Sequence, residues 1–228
     1  MIDLHTHILP DMDDGSKSVE ESEQMLLELK QQGVTTIVAT PHFYADREAP
    51  REFLLRRKRS FEQLKNAEIL LGAEVAYFSG ISRCEEITLL CIEGTRLLLL
   101  ELPFDAWNRT MLDEVCSMNK RLGIITVIAH INRYRSLPNF AEAVERMLQC
   151  GIKMQCNAEP ISSIWSGRRL LRMIRSGMIH FIGSDCHNMT RRPPNIAKAM
   201  ARMEKKLDVR SFCENARNLL KGAVHEER

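Results

Sequence analysis

The sequence predicts an α/β fold of parallel strands, more readily closed into a barrel than laid out as a doubly wound sheet. Three observations predict it. Short apolar runs alternate with stretches of helical periodicity along the chain. Glycines stand where four helices should stop and strands begin, at Gly33, Gly123, Gly151 and Gly177. Seven strand-like runs are too many for most small sheets, and repeated helix-Gly-strand units argue for parallel βα connections.

In chain order the strand-like runs cover 2–6, 35–40, 68–75, 96–102, 124–129, 153–156 and 179–184. Helical stretches at 19–32, 52–65, 108–121, 140–149, 168–176 and 195–206 lie between or after them. Met25, Leu26 and Leu29 recur at helical spacing in the first, and Val144, Met147 and Leu148 in the fourth. Leucine occupies every position of 97–100, as expected of a strand covered on both faces. No linker, repeat or low-complexity segment interrupts the order, so one domain over 1–228 is expected.

Composition narrows the function. Hydrophobic and charged fractions of 44% and 27% are those of an ordinary soluble protein. A net charge of +2 supplies no overall basic field for nucleic acid. The local arginine clusters at 51–59 and 168–175 read as solvated helix faces. The longest apolar run falls far short of the roughly 18–20 residues that span a bilayer, so no membrane insertion is expected. No basic-then-apolar leader precedes Asp3, so no signal peptide is expected. Seven cysteines without a Cys-x-x-Cys pair suggest reduced thiols in the cytoplasm, most of them packed as small core residues.

The polar residues follow the strands. His5 and His7 alternate along the first run and so point the same way. An acidic loop with Asp11, Asp13 and Asp14 comes next. His42 follows the second run, Glu74 ends the third, Glu101 the fourth and His130 the fifth, and Asp185 and His187 end the last. In a parallel barrel these ends gather at one face, where such folds place their chemistry. Five of the seven histidines would then converge with three acids. Singly, each could be a hydrogen-bonded core or surface residue. Jointly they read as a metal site. Glu101 is the hardest to explain otherwise, because an acid beside buried leucines is costly unless paired. His180 and His225 read as structural.

Imidazole and carboxylate without thiolate favour Mn, Fe, Zn or Mg over a sulfur-bound structural zinc. Eight ligands exceed the needs of one ion, so two or three divalent ions are expected, with Glu101 and Asp185 as candidate bridges. Arg133 and Arg192 follow ligand motifs closely, and a guanidinium fork suits phosphate. Cys186 and Arg192 also stand at the Cys-x5-Arg spacing of thiolate phosphatases. The intervening residues lack glycine, however, and Pro193-Pro194 lack N–H donors, which disfavours a phosphate-cradling loop.

These motifs, His5-Thr6-His7, His42, Glu74, Glu101, Ala129-His130 and Ser184-Asp185-Cys186-His187, resemble the polymerase-and-histidinol-phosphatase (PHP) superfamily. More closely, His5-Thr6-His7-Ile8-Leu9-Pro10, Asp13-Asp14-Gly15, Ala129-His130-Ile131-Asn132-Arg133-Tyr134 and 187–194 are similar to bacterial manganese-dependent protein-tyrosine phosphatases of capsule and exopolysaccharide synthesis. The resemblance covers residues 1 to about 200. Asn132 departs from it, standing where a Glu is usual, and 158–168 has no match.

The resemblance implies a distorted (β/α)7 barrel of the PHP type with a trinuclear centre. The metal ligands would be His5, His7, His42, Glu74, Glu101, His130, Asp185 and His187, with manganese the first choice. Arg133 and Arg192 would act on the phosphate. It also implies a phosphotyrosine protein as substrate, with a cognate bacterial tyrosine kinase as partner. The competing readings are a small-molecule phosphatase such as one for histidinol phosphate, a nuclease-like module, and a non-catalytic metal-binding protein.

Overall fold

Parallel pairing begins with β1 (Ile2–Thr6), every residue of which is buried. In the computed structural model, which describes residues 1–65 and 67–223, β2 (Thr36–Ala39) lies parallel to β1. Pro41 then interrupts the strand, having no N–H to donate, and β3 (His42–Phe43) resumes it. The expected strand at 68–75 is broken in the same way, into β4 (Leu70–Leu71), paired with β2, and β5 (Glu74–Ala76), paired with β3. Glu74 therefore opens β5 rather than ending a strand. His42 is its register partner.

The remaining strands, β6 (Leu97–Glu101), β7 (Ile125–Ile128), β8 (Lys153–Asn157) and β9 (Phe181–Gly183), each pair parallel with the one before. The sheets run β1-β2-β4 and β3-β5-β6-β7-β8-β9. A parallel bridge between Thr6 and Cys186 brings the last segment back to the first. There Asp185 N–H donates to His5 O and His7 N–H to Cys186 O, both at 2.9 Å. The architecture is α/β around a curled parallel sheet.

Both faces of that sheet are covered. Leu98 and Leu100 face the helices, while Leu97 and Leu99 face an inner cluster with Leu4, Val38 and Phe181. This is why four leucines in a row form a strand here: alternate side chains enter two different cores.

The helices are α1 (Val19–Gln31), α2 (Pro50–Phe61), α3 (Arg109–Leu122), α4 (Phe140–Gln149), α5 (Ala158–Ser162), α6 (Ile164–Arg175), α7 (Ile196–Glu204) and α8 (Val209–Gly222). Ser18 caps α1 by accepting from Glu21 N, and Asn108 caps α3 by accepting from Met111 N. Helix α2 begins on Pro50, whose missing N–H is harmless in a first turn. Gly33, Gly123, Gly151 and Gly177 all adopt positive φ, as helix-ending glycines should.

Two helices stand outside those the sequence predicts, α5 and α8. Ala216 of α8 packs into the inner cluster, and Arg96 N–H bonds Ala223 O just beyond the helix. One arginine departs from the expected solvated face: Arg57 is buried and donates to Gly72 O at 2.5 Å. All seven cysteines are free, with Cys91, Cys156 and Cys186 buried and the others half-buried. Among the described residues no helix is long and apolar enough to cross a membrane.

Candidate metal centre

His5 and His7 share one face of β1 and its continuation, and their Nε2 atoms lie 3.0 Å apart. Two imidazole lone pairs at that separation repel unless a proton or cation joins them. Glu74, placed by its register with His42, reaches both. Its Oε2 lies 3.0 Å from His5 Nε2, 3.3 Å from His7 Nε2 and 3.1 Å from His42 Nδ1. Its other oxygen is 2.9 Å from His130 Nε2, which is also 3.1 Å from Glu101 Oε1. Asp185 Oδ1 completes the ring at 3.6 Å from both His5 and His7 Nε2 and 3.7 Å from His187 Nδ1.

All eight residues singled out by sequence thus meet. Glu74 takes the hub position expected of Glu101, which sits nearer the rim. Among the described residues three groups have donor atoms within 4.8 Å of one another: His7 with Asp14, His42 and His187; His5 with His7 and Glu74; and His42 with Glu74 and Glu101. Buried imidazoles and carboxylates, without thiolate, suit several divalent cations held close together.

Further residues hold these side chains in place. Asp13 Oδ2 lies 2.7 Å from His7 Nδ1 and accepts the His42 N–H at 2.8 Å, while its Oδ1 accepts the Gly15 N–H at 2.9 Å. Only glycine fits at Gly15, since a Cβ there would stand 2.2 Å from His7 O. Gln155 accepts the His130 N–H at 2.5 Å, and Asn157 Nδ2 donates to Asp185 Oδ2 at 2.7 Å. Asn132, the departure from the resembling family, accepts the Asn157 N–H at 2.8 Å. By sequence Asp13 reads only as part of the acidic loop and its motif, and Gln155 and Asn157 are given no role in the site. The signal for the last two was present: polar residues alternating with Met154 and Cys156 along a buried strand.

His130 and Asp185 both have positive φ, 30° and 55°. For residues other than glycine such backbones cost on the order of 1–3 kcal/mol and persist where surrounding bonds hold them. Gln155 holds the His130 N–H and His5 O holds the Asp185 N–H.

Charges are sorted by these neighbours. Burial opposes a charged His7, yet Asp13 and Glu74 outweigh it and raise its pKa to about 10. His130 is raised to about 9, again against burial, by Glu101 and Glu74. Burial, with His7 beside it, pushes His187 down to about 3. Burial opposes ionised Glu74, but the surrounding imidazoles hold it well below the usual carboxylate range.

The two arginines lie at the mouth, each about one-third exposed. Arg133 donates to Asp185 Oδ2 at 2.5 Å, and Arg192 Nη2 lies 2.7 Å from Asp185 Oδ1. Phe104, 54% exposed, stacks at 5.7 Å on His130, and Tyr44 lies 5.5 Å from His42. Aromatic rings therefore border the opening on two sides.

Cys186 is not at this mouth. It is fully buried in the main core, and burial pushes its thiol well above the ordinary range. Nor does the following loop present free amides. The N–H groups of Thr190, Arg191 and Arg192 all donate to Asn188 Oδ1, and that of His187 to Arg192 O. His180 lies outside the site, its Nδ1 accepting from Met154 N at 3.2 Å. His225 lies outside the described residues.

A curled parallel α/β sheet with a histidine-carboxylate cluster at its strand ends defines the class: a fold with a candidate polynuclear metal site. The chain belongs to the family described as "Capsular polysaccharide synthesis, CpsB/CapC", which it matches over residues 1–221. It is 30% identical to tyrosine-protein phosphatase CpsB of Streptococcus agalactiae serotype III (strain NEM316), over 97% of this chain and 98% of that protein. It is likewise 30% identical to tyrosine-protein phosphatase YwqE of Bacillus subtilis (strain 168), over 97% and 92%. Among solved structures, it superposes with a TM-score of 0.79 and 27% identity on a structure from the work on YwqE of Bacillus subtilis and CpsB of Streptococcus pneumoniae, described as metal-dependent tyrosine phosphatases. That match covers 100% of this chain and 97% of the other. A β-aspartyl dipeptidase of Fervidobacterium islandicum, 12% identical with a TM-score of 0.56 over 99% of this chain and 77% of that one, shares the fold alone.

Proposed function

We propose that this chain is a metal-dependent protein-tyrosine phosphatase, built as one PHP-type (β/α)7 barrel domain over 1–228. His5, His7, His42, Glu74, Glu101, His130, Asp185 and His187 hold two or three divalent ions, manganese first and Fe, Zn or Mg otherwise, with Asp14 beside them at the rim. The carrying observation is the meeting of three imidazole nitrogens within 3.3 Å of one Glu74 oxygen, with two arginines at the opening. Its family membership and its named relatives support the same reading.

Divalent ions held by these residues would supply an acidified water and neutralise phosphate oxygens. The chain's own residues do the rest. The guanidinium groups of Arg133 and Arg192 bind the non-bridging oxygens and stabilise charge as it develops there. Phe104 and Tyr44 border the place where the tyrosine ring enters. Phenolate leaves readily, so little general-acid help is required. Asp14 Oδ1, exposed at the rim 3.5 Å from His42 Nε2, is the group placed to hold a proton there. The substrate is a phosphotyrosine protein, a cognate bacterial tyrosine kinase of capsule or exopolysaccharide synthesis, met in the cytoplasm.

The test is turnover of a phosphotyrosine peptide, with histidinol phosphate alongside, before and after chelation. Chelation and the His5→Ala and Asp185→Ala substitutions should each abolish turnover, with circular dichroism unchanged and added Mn rescuing only the wild type. Undiminished hydrolysis by the chelated protein would overturn the reading, and preference for histidinol phosphate would replace the substrate class.

A further inference from the structure

A groove of about 780 Å³ runs between α6 and α7, and no carboxylate lines it. Its walls include Arg168, Arg172, Lys198 and Lys205. Lys206 lines it too, and two further cations there, Arg202 and Arg175, are committed to the fold. Arg202 donates to Ser162 O at 2.9 Å and Ile164 O at 3.3 Å, and Arg175 donates to Lys206 O at 2.7 Å. Among the described residues, the first four make no ion pair and no side-chain hydrogen bond. All four are exposed. A concave surface lined by one sign of charge focuses its field and gathers counter-ions of the other sign. These cations face solvent and gain nothing from one another, so the groove is open to an anionic ligand from outside the chain.

Position identifies that ligand. Ser162 and Lys198 line this groove and also the depression that holds Arg133, Asp185 and Arg192. The groove therefore opens directly onto the candidate catalytic mouth. We infer that it receives an acidic stretch of the same polypeptide whose phosphotyrosine enters that mouth, either carboxylates or a further phosphorylated tyrosine. This inference rests on the phosphatase reading above. An extended chain can thread a cleft continuous with the site, whereas a bilayer presents a flat face that cannot enter one. Trp165, 89% exposed at the start of α6, offers an apolar platform beside the cations.

The experiment compares wild type with Arg168→Glu/Lys205→Glu and with the milder Arg168→Gln/Lys205→Gln, in the full chain with Mn bound. Three phosphotyrosine peptides are assayed, flanked by Gly and Ser, by a Glu run, or by a second phosphotyrosine. The double variants should raise KM for both acidic peptides by about tenfold, equivalent to ~1.4 kcal/mol, more for Glu than for Gln. KM for the neutral peptide and kcat on para-nitrophenyl phosphate should stay unchanged. Fluorescence anisotropy of a labelled, unphosphorylated Glu-rich peptide should show binding to wild type and its loss in the variants. That readout is independent of turnover: loss of all phosphatase activity sinks the enzymatic reading, while the anisotropy separately decides the groove. Equal KM changes for acidic and neutral peptides would overturn the inference. So would variants that lose binding to phosphatidylglycerol vesicles yet keep the wild-type KM for acidic peptides.

Discussion

Asp13 Oδ2 stands 2.7 Å from His7 Nδ1 and also accepts the backbone N–H of His42 at 2.8 Å. One carboxylate thereby sets the tilt of one imidazole and anchors the backbone that projects another. Because the contact is made through Nδ1, it turns Nε2 of His7 toward Glu74. Partners of this kind fix ring orientation and raise the basicity of the nitrogen opposite. Asp13→Ala should cost about 10–100-fold in metal affinity or turnover. Turnover measured across a manganese titration checks this, and a wild-type curve would remove Asp13 from the orienting role.

Arg133 and Arg192 approach different oxygens of Asp185 from the solvent side. Removing one donor that acts on developing charge lowers turnover by about 10²–10³-fold in comparable sites. Arg133→Ala should show a fall of that size while elemental analysis finds its metal retained. Arg133→Lys should recover only part of it, since an ammonium lacks the planar fork. Lost metal would instead make the arginine a structural support for Asp185.

Cys186→Ser should leave turnover near wild type, because the side chain is buried among core residues and the loop amides after it are already engaged. Placing a more polar hydroxyl in that apolar core, with Ser184 Oγ beside it, should lower stability by about 1 kcal/mol. Denaturation midpoints and kinetics are measured on the same preparation. Abolished turnover in a folded variant would return the thiolate mechanism to consideration.

His180 carries a pH dependence of stability separate from the site. Burial, then Lys153, holds its pKa near 4, against an ordinary 6.5. Between those values the unfolded chain binds the proton that the folded chain refuses, so stability rises with pH there. The contribution is complete above about pH 6.5 and is lost as pH falls toward 4. The urea midpoint of wild type should therefore drop more steeply from pH 7 to 4.5 than that of His180→Gln. Parallel curves would show that another group titrates.

Much of the fold was legible because burial faces repeat locally. Met25, Leu26 and Leu29 mark one side of α1, and the sequence reading and the structure agree on β1 and α4 residue for residue. Helix α8 escaped notice, although Val209, Phe212, Cys213 and Ala216 recur at helical spacing, because no strand follows to frame it. The break in the third strand was missed although Gly72 stands inside 68–75, because a glycine within a strand pattern marks a break only when its ladder is seen, and here the ladder follows the interruption at Pro41 across the sheet. At the site, every candidate ligand was found from its expected place at or just after a strand end, although Glu74 opens β5. Their orienting partners were missed because an Asp in an acidic loop and a Gln in a buried strand look alike whether or not an imidazole lies beside them.

Local pattern by itself determined the alternation of strands and helices and the residue types that crowd one end of them, because periods of 2 and 3.6 residues encode faces and ends. Tertiary structure alone decided that Glu74 rather than Glu101 is the hub, that Cys186 points into the core, and that exposed cations of α6 and α7 line a groove beside the mouth. Those outcomes depend on register and twist between segments far apart in the chain, and no spacing within a segment carries that information.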